Sequence, residues 1–295
     1  MRRVILLFFL TINLFSIEIK NYKPIYGCIL ENNQINIAIR SFFYNNHKCY
    51  LALEPNSLQT YFTKASKLYK CPDLNSTKFK KLLNLSISNT KHPLQNDGIT
   101  SAKNGLYLTS DFCPSSKKGF EKRLYQALID NFKNPVPITI FITKKWINTH
   151  KAQFNKLKQW QEERKLNITW GNHTANHIYY PNTPLNKNFV LSKNEHLVKD
   201  ILDLEECLIK NGVTPSIFFR FPGLVSNKKA IKIVANLSLI TIGSNSWLAK
   251  KEPIKNGSII LVHGNKNEPL GVDIFLKLLK DGFIKKLDDI KELDF

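Results

Sequence analysis

Acidic residues are scarce in this chain: Asp and Glu total 23 against 43 Lys and Arg, a formal net charge of +20. So basic a balance attracts anionic partners, whether nucleic acid, anionic lipid or an acidic glycan. The lysines are spread along the chain, and no nucleic-acid-binding module leaves its signature, so nucleic acid is not an expected partner. A bias towards Lys and Asn, or association with an anionic cell-envelope polymer, accounts for the charge. There is no CxxC pair, which argues against a structural zinc site. No second long apolar run follows the first sixteen residues, so the remainder is expected to be soluble. No internal repeat is evident.

The chain has 295 residues, 43% hydrophobic and 22% charged, the composition of a globular protein able to bury a core. Met1-Arg2-Arg3 precedes a mostly apolar stretch from Val4 to Ser16, the length of a secretory h-region and short for a spanning helix. Residues 1–16 are therefore expected to be a signal peptide or an uncleaved N-terminal anchor, and the protein to be exported, periplasmic or secreted. Export permits disulfides. Cys28, Cys49 and Cys71 share one segment, so a bridge among them is expected, with the pair left open; Cys113 and Cys207 lie further on.

Three parts follow: the targeting segment 1–16, a small N-terminal region and linker 17–104, and an α/β domain 105–295. In the second part, strands are expected at Asn36–Phe43 and Cys49–Leu53, with a turn at Tyr44–Lys48. A helical stretch is expected from Ser57 to about Tyr69, and a linker or long loop over Asn89–Gly105. From Leu106, short apolar runs alternate with helical periodicity. Strands are expected at Leu106–Ser110, Ile138–Thr143, Asn167–Gly171, Ile217–Arg220, Leu239–Gly243 and Ile259–His263. Helices are expected at Gly119–Phe132, Trp146–Lys165, Ser192–Asn211, Lys228–Asn236 and Val272–Lys280. Ser192 with Glu195 three residues on reads as a capping box. The continuous apolar strands suit a parallel sheet buried on both faces, open or closed into a barrel.

In such a barrel, functional side chains gather at the C-terminal ends of the strands. Asp111, His173 with His177, Arg220-Phe221-Pro222-Gly223 and His263 all occupy those positions. His173 and His177, four apart, would share one face of a helical turn, a common geometry for a divalent metal. Tyr179-Tyr180-Pro181 keeps any such helix brief. Arg220, among Phe218, Phe219 and Phe221, needs an anionic partner if buried, and Asp111 is a candidate. Each feature also has a structural reading: a capping Asp, an Arg reaching solvent along its stem, a buried His bonded to backbone.

An Asp after the first strand, HTxxH after the third, R-x-P after the fourth and an apolar strand ending in His resemble the polysaccharide deacetylase (NodB-homology) family. The likeness runs over roughly residues 105–285. It implies an irregular (β/α) barrel behind a small N-terminal α+β region. Where the family reads T-F-D-D-G-P, this chain has Thr109-Ser110-Asp111-Phe112-Cys113-Pro114. Asp111 matches the catalytic base, but the second Asp, a metal ligand, is Phe112. The run is similar to a divergent branch with an Asp-x-Cys sequence, in which Asp111 could become a ligand alongside His173 and His177. The resemblance assigns Arg220 to orienting Asp111 and places Arg220, Pro222, Gly223 and Trp247 around the substrate, with the Gly223 N–H at the oxyanion site. His263 matches the family's general acid, yet Ser244-Asn245-Ser246-Trp247 lacks the Asp that tunes it. What is implied is a divalent metal, zinc above all, and hydrolysis of N-acetyl or O-acetyl groups on an envelope polysaccharide or peptidoglycan. The competing expectation is a glycan-binding protein that keeps the fold and has lost activity.

Overall fold

The computed structural model describes residues 18–295 except 32, 65–66, 91–93 and 194–195. The segment 1–16, expected to be a signal peptide or anchor, therefore lies outside the described residues. Among them, no helix is long and apolar enough to cross a membrane.

The chain opens with an antiparallel sheet in the order β1 (Ile19–Glu31), β2 (Gln34–Tyr44), β3 (His47–Leu53), β4 (Thr60–Thr63). Strands β2 and β3 turn on Asn45-Asn46, both at positive φ, a conformation Asn tolerates well. The helix expected from Ser57 to Tyr69 is not formed. Instead the Glu54 carboxylate accepts the N–H groups of Asn56 and Ser57 in a turn, Leu58 takes positive φ, and Thr60–Thr63 pairs with β3. Aromatic and β-branched side chains in that run suit a pleated surface better than a helix. The helix of this region is α1 (Lys78–Ser88), capped by the Thr77 hydroxyl on Lys80 N–H. Cys28 and Cys71 form the disulfide, while Cys49, Cys113 and Cys207 are free.

The second sheet has seven parallel strands flanked by helices. In chain order these are β5 (Leu106–Phe112), α2 (Lys122–Asn131), β6 (Val136–Ile142), α3 (Lys144–Thr149), α4 (Lys151–Glu162), β7 (Leu166–Asn172), α5 (Leu197–Lys210), β8 (Phe218–Phe219), α6 (Lys228–Asn236), β9 (Ile240–Thr241), β10 (Ser246–Trp247), β11 (Ser258–His263) and α7 (Pro269–Lys280). Spatially they run β10-β11-β5-β6-β7-β8-β9 and curl into an incomplete barrel. The open edge is bridged by residues 95–101. Ile99 N–H bonds to Thr241 C=O and Gly243 N–H to Ile99 C=O, while Ser101 pairs with Ser258. Gly98 is required there: at φ +89° a β-carbon would sit 2.5 Å from Thr241 O. This part of the expected linker thus belongs to the barrel wall.

Helix α5 begins at Leu197 behind His196, not at Ser192, whose hydroxyl has no hydrogen-bond partner among the described residues; Glu195 lies outside them. Its buried face carries two acids. Glu205 receives a bidentate bond from Arg40 of β2, with Nε–Oε2 2.6 Å and Nη2–Oε1 2.8 Å, and a hydrogen bond from the Tyr22 hydroxyl at 2.8 Å. The other Arg40 nitrogen donates to Ile39 and Leu237 C=O, so all three nitrogens of this fully buried cation have partners. This pair ties the antiparallel sheet to the barrel. Arg40→Ala is expected to cost about 3–5 kcal/mol, because Glu205 would keep its charge in the core without a counter-ion. Urea unfolding measures it, and a loss below about 1 kcal/mol would show the pair to be dispensable.

Candidate active site

The β5–β11 register sets Asp111 beside His263, and β7 delivers Asn172 and His173 at the same mouth. A cleft of about 850 Å³ opens there, lined by Asp111, Cys113, His173, His177, Trp247 and His263, among others. Side chains remote in sequence converge here because a parallel sheet ends all its strands on one rim.

Arg220 is wholly buried, and each of its three nitrogens donates a hydrogen bond. One Nη donates to Asp111 Oδ1 at 2.7 Å and to Thr109 Oγ1 at 2.7 Å, the other to Gly243 C=O at 2.8 Å, and the guanidinium lies 4.3 Å from the centre of the Phe141 ring. It is therefore a positioning residue for Asp111 and cannot touch a ligand. Pro222 is likewise buried. Gly223, at φ +61°, lines the cleft, and a β-carbon there would meet the Phe189 ring at 2.6 Å.

The histidine pair is not on a helix. Thr174 (φ +69°) and His177 (φ +48°) turn the chain the other way, and side chains replace helical bonds. Asn172 Oδ1 accepts Thr174 N–H at 2.9 Å and Thr174 Oγ1 accepts His177 N–H at 3.1 Å. Asp200, the second buried acid of α5, receives Asn176 through both its backbone and side-chain nitrogens. His173 Nδ1 lies 2.8 Å from Arg220 C=O; donation there leaves the Nε2 lone pair facing Cys113 Sγ at 3.5 Å. His177 Nε2 is buried with no hydrogen-bond partner among the described residues.

Cys113, His173 and His177 offer three ligand atoms within 4.8 Å of one another. This set fits a divalent cation on two grounds. A buried imidazole nitrogen lacks a partner, and its neighbour is held in the ligating tautomer by a backbone carbonyl. Thiolate and imidazole are also zinc-type donors. Phe112 supplies nothing. It points to the opposite face of β5, with its ring centre 4.4 Å from that of Trp146 and 6.2 Å from that of Tyr125. Asp111 stands outside the cluster, with Oδ2 3.8 Å from His173 Nε2, so the third donor is a thiol rather than this carboxylate.

His263 has the acidic neighbour that the Ser244–Trp247 run lacks. Glu268, in the loop after β11, brings Oε2 to 2.8 Å from His263 Nδ1, an ion-pair contact without good N–H alignment, and accepts the Trp247 indole N–H at 2.8 Å. Burial works against the imidazolium, but Cys113 and Glu268 outweigh it and push the His263 pKa up to about 10. Burial likewise opposes the Cys113 thiolate, yet His177, His173 and His263 hold that thiol well below its ordinary range. Motif matching notes the Asp-x-Cys run but gives Cys113 no role, and it passes over Glu268. Strand alternation could have found Cys113, two beyond Asp111 on the same face. Only the loop's path reveals Glu268.

Residues 98–242 match the family model described as polysaccharide deacetylase. The region 98–242 belongs to the polysaccharide deacetylase family. Residues 20–92 match a second model, the RP012 protein N-terminal domain. Among solved structures, a family 4 carbohydrate esterase from Bacillus anthracis is 19% identical, covering 71% of this chain and 89% of its own, with a TM-score of 0.50. PdaA of Bacillus subtilis, also a family 4 carbohydrate esterase, is 21% identical over 72% and 88%, with a TM-score of 0.48. A family 4 pseudoenzyme from Bacillus anthracis is 13% identical over 94% and 89%, with a TM-score of 0.45. At these identities the likeness is one of fold. Within the deacetylase family, this member departs at the second aspartate of the first motif, and a cysteine from the next position faces the cleft.

Proposed function

We propose that the chain is a metal-dependent deacetylase acting on N-acetyl or O-acetyl groups of an envelope polysaccharide or peptidoglycan. One observation carries the reading: a metal-capable cluster, an oriented carboxylate and an acid-backed histidine line the same cleft. Cys113, His173 and His177 would hold the cation, with zinc the best match to their chemistry. A cation bound there would supply Lewis acidity towards the acetyl carbonyl and the attacking water. Asp111, fixed by Arg220, takes the water's proton. His263, as the imidazolium favoured by Glu268, gives a proton to the leaving nitrogen or oxygen. Acetate and a free amine or alcohol are the products. Gly223 and Trp247 flank the space left for the sugar. Glu268→Gln is expected to lower kcat on the order of tenfold, leaving KM and metal content near wild type, since it removes only the charge behind His263. An unchanged kcat would show that Glu268 has no part in proton transfer.

An exported site of action belongs to this reading. The basic-then-apolar N-terminus and the Cys28–Cys71 bridge both suit an oxidising compartment, and the net charge of +20 suits an anionic envelope.

Phe112 favours a second reading, a glycan-binding protein without turnover, because it removes the carboxylate ligand the family uses. Acetate release from chitin oligomers and peptidoglycan fragments by the zinc-loaded full chain separates the two, with calorimetry of the same oligomers alongside. Release that disappears in His173→Ala supports the deacetylase. Binding with no release, at any metal loading, supports the binder, and neither binding nor release would sink both.

A further inference from the structure

We propose that Cys113 makes this a thiolate-bearing metal site that selects thiophilic cations, zinc or cobalt(II), over the oxygen-preferring manganese and magnesium. The proposal rests on the metal-holding half of the reading above and not on turnover. Strand β5 presents alternate residues to the cleft, so Asp111 and Cys113 face it while Phe112 is in the outer core. Asp111 gives Oδ1 to Arg220 at 2.7 Å and keeps Oδ2 3.8 Å from His173 Nε2, and the residue is not a member of the three-atom cluster. The anionic donor available to the two imidazoles is therefore sulfur. Its position is held from behind: Asn265 donates its side-chain N–H to Cys113 C=O at 2.7 Å, fixing the backbone where β5 ends. Asn265 is itself fully buried. Soft thiolate with imidazole favours zinc, whereas an all-oxygen or carboxylate-rich set suits manganese and magnesium. On binding, the thiol proton leaves to solvent and a sulfur–metal bond forms, with no change of oxidation state.

The test uses the full chain, stripped with a chelator and dialysed against equimolar zinc, manganese and magnesium, with bound metal quantified by elemental analysis. Wild type is expected to retain zinc with a preference on the order of a hundredfold over manganese. Its cobalt(II) derivative is expected to show a thiolate-to-cobalt charge-transfer band in the near ultraviolet. Cys113→Ser should lose the band and weaken zinc binding roughly a hundredfold, with the fold unchanged by circular dichroism. Cys113→Asp should lose the band and admit manganese. Cys207→Ser, a free thiol elsewhere in the fold, should keep the band. A cobalt derivative without the band, or zinc affinity unaltered in Cys113→Ser, would overturn the proposal. Acetate release without the band would refute this proposal and spare the deacetylase reading; the band without acetate release would do the reverse.

Discussion

Phe112→Asp, which writes the family's second aspartate back into the sequence, is expected to lose about 4 kcal/mol or more of stability instead of gaining a ligand. The Phe112 side chain is wholly buried between Trp146 and Tyr125. The backbone of Gly264 also packs on this ring, since a β-carbon there would lie 2.5 Å from it. Removing such a ring alone costs roughly 3–5 kcal/mol, and an unpaired carboxylate in its place adds a desolvation penalty. Denaturant unfolding of wild type and variant gives the difference. A variant as stable as wild type, binding metal more tightly, would mean that β5 can rotate its end to present position 112 to the cleft. The contrast with Cys113→Asp is instructive, because that position already faces the cleft and a carboxylate there is not buried in the aromatic cluster.

Asp111→Asn is expected to lower kcat for acetate release by about 10²–10⁴-fold, the usual contribution of a positioned base. The amide oxygen can still accept from Arg220, and Arg220 retains Thr109, Ile242 and Gly243 as partners, so folding should survive. Bound metal should also be unchanged, because the cluster of three donor atoms excludes Asp111. Metal content therefore decides between two explanations of a loss. Activity lost with metal retained marks Asp111 as the base; activity and metal lost together would make it a ligand. Activity left intact would remove Asp111 from the chemistry altogether.

Much of the barrel was legible before folding. The apolar runs at Ile138, Ile217 and Ile259 become β6, β8 and β11, and Lys228–Asn236 is a helix over the same residues. Buried parallel strands and amphipathic helices carry their environment in their own side chains. Local pattern failed where a turn or a distant partner overrode it. Thr60–Thr63 is a strand because β3 offers it an edge, and residues 95–101 are ordered because the sheet leaves a gap beside β9. The histidine spacing suggested a helical turn, whereas bonds from Asn172 and Asp200 shape the loop that brings both imidazoles together.

For the site, residue order and strand pattern alone put Asp111, His173, His177, Arg220 and His263 at the strand ends. They also show that position 112 is no ligand, because Phe cannot bind a metal. It took the folded arrangement to show that Cys113 completes a three-donor cluster, that Arg220 is sealed behind Asp111, and that Glu268 stands behind His263. The physical reason is reach. A strand's period of two fixes which face a residue takes, but distances of 3–5 Å between donors depend on how several strands and loops close around one mouth, and no single segment encodes that.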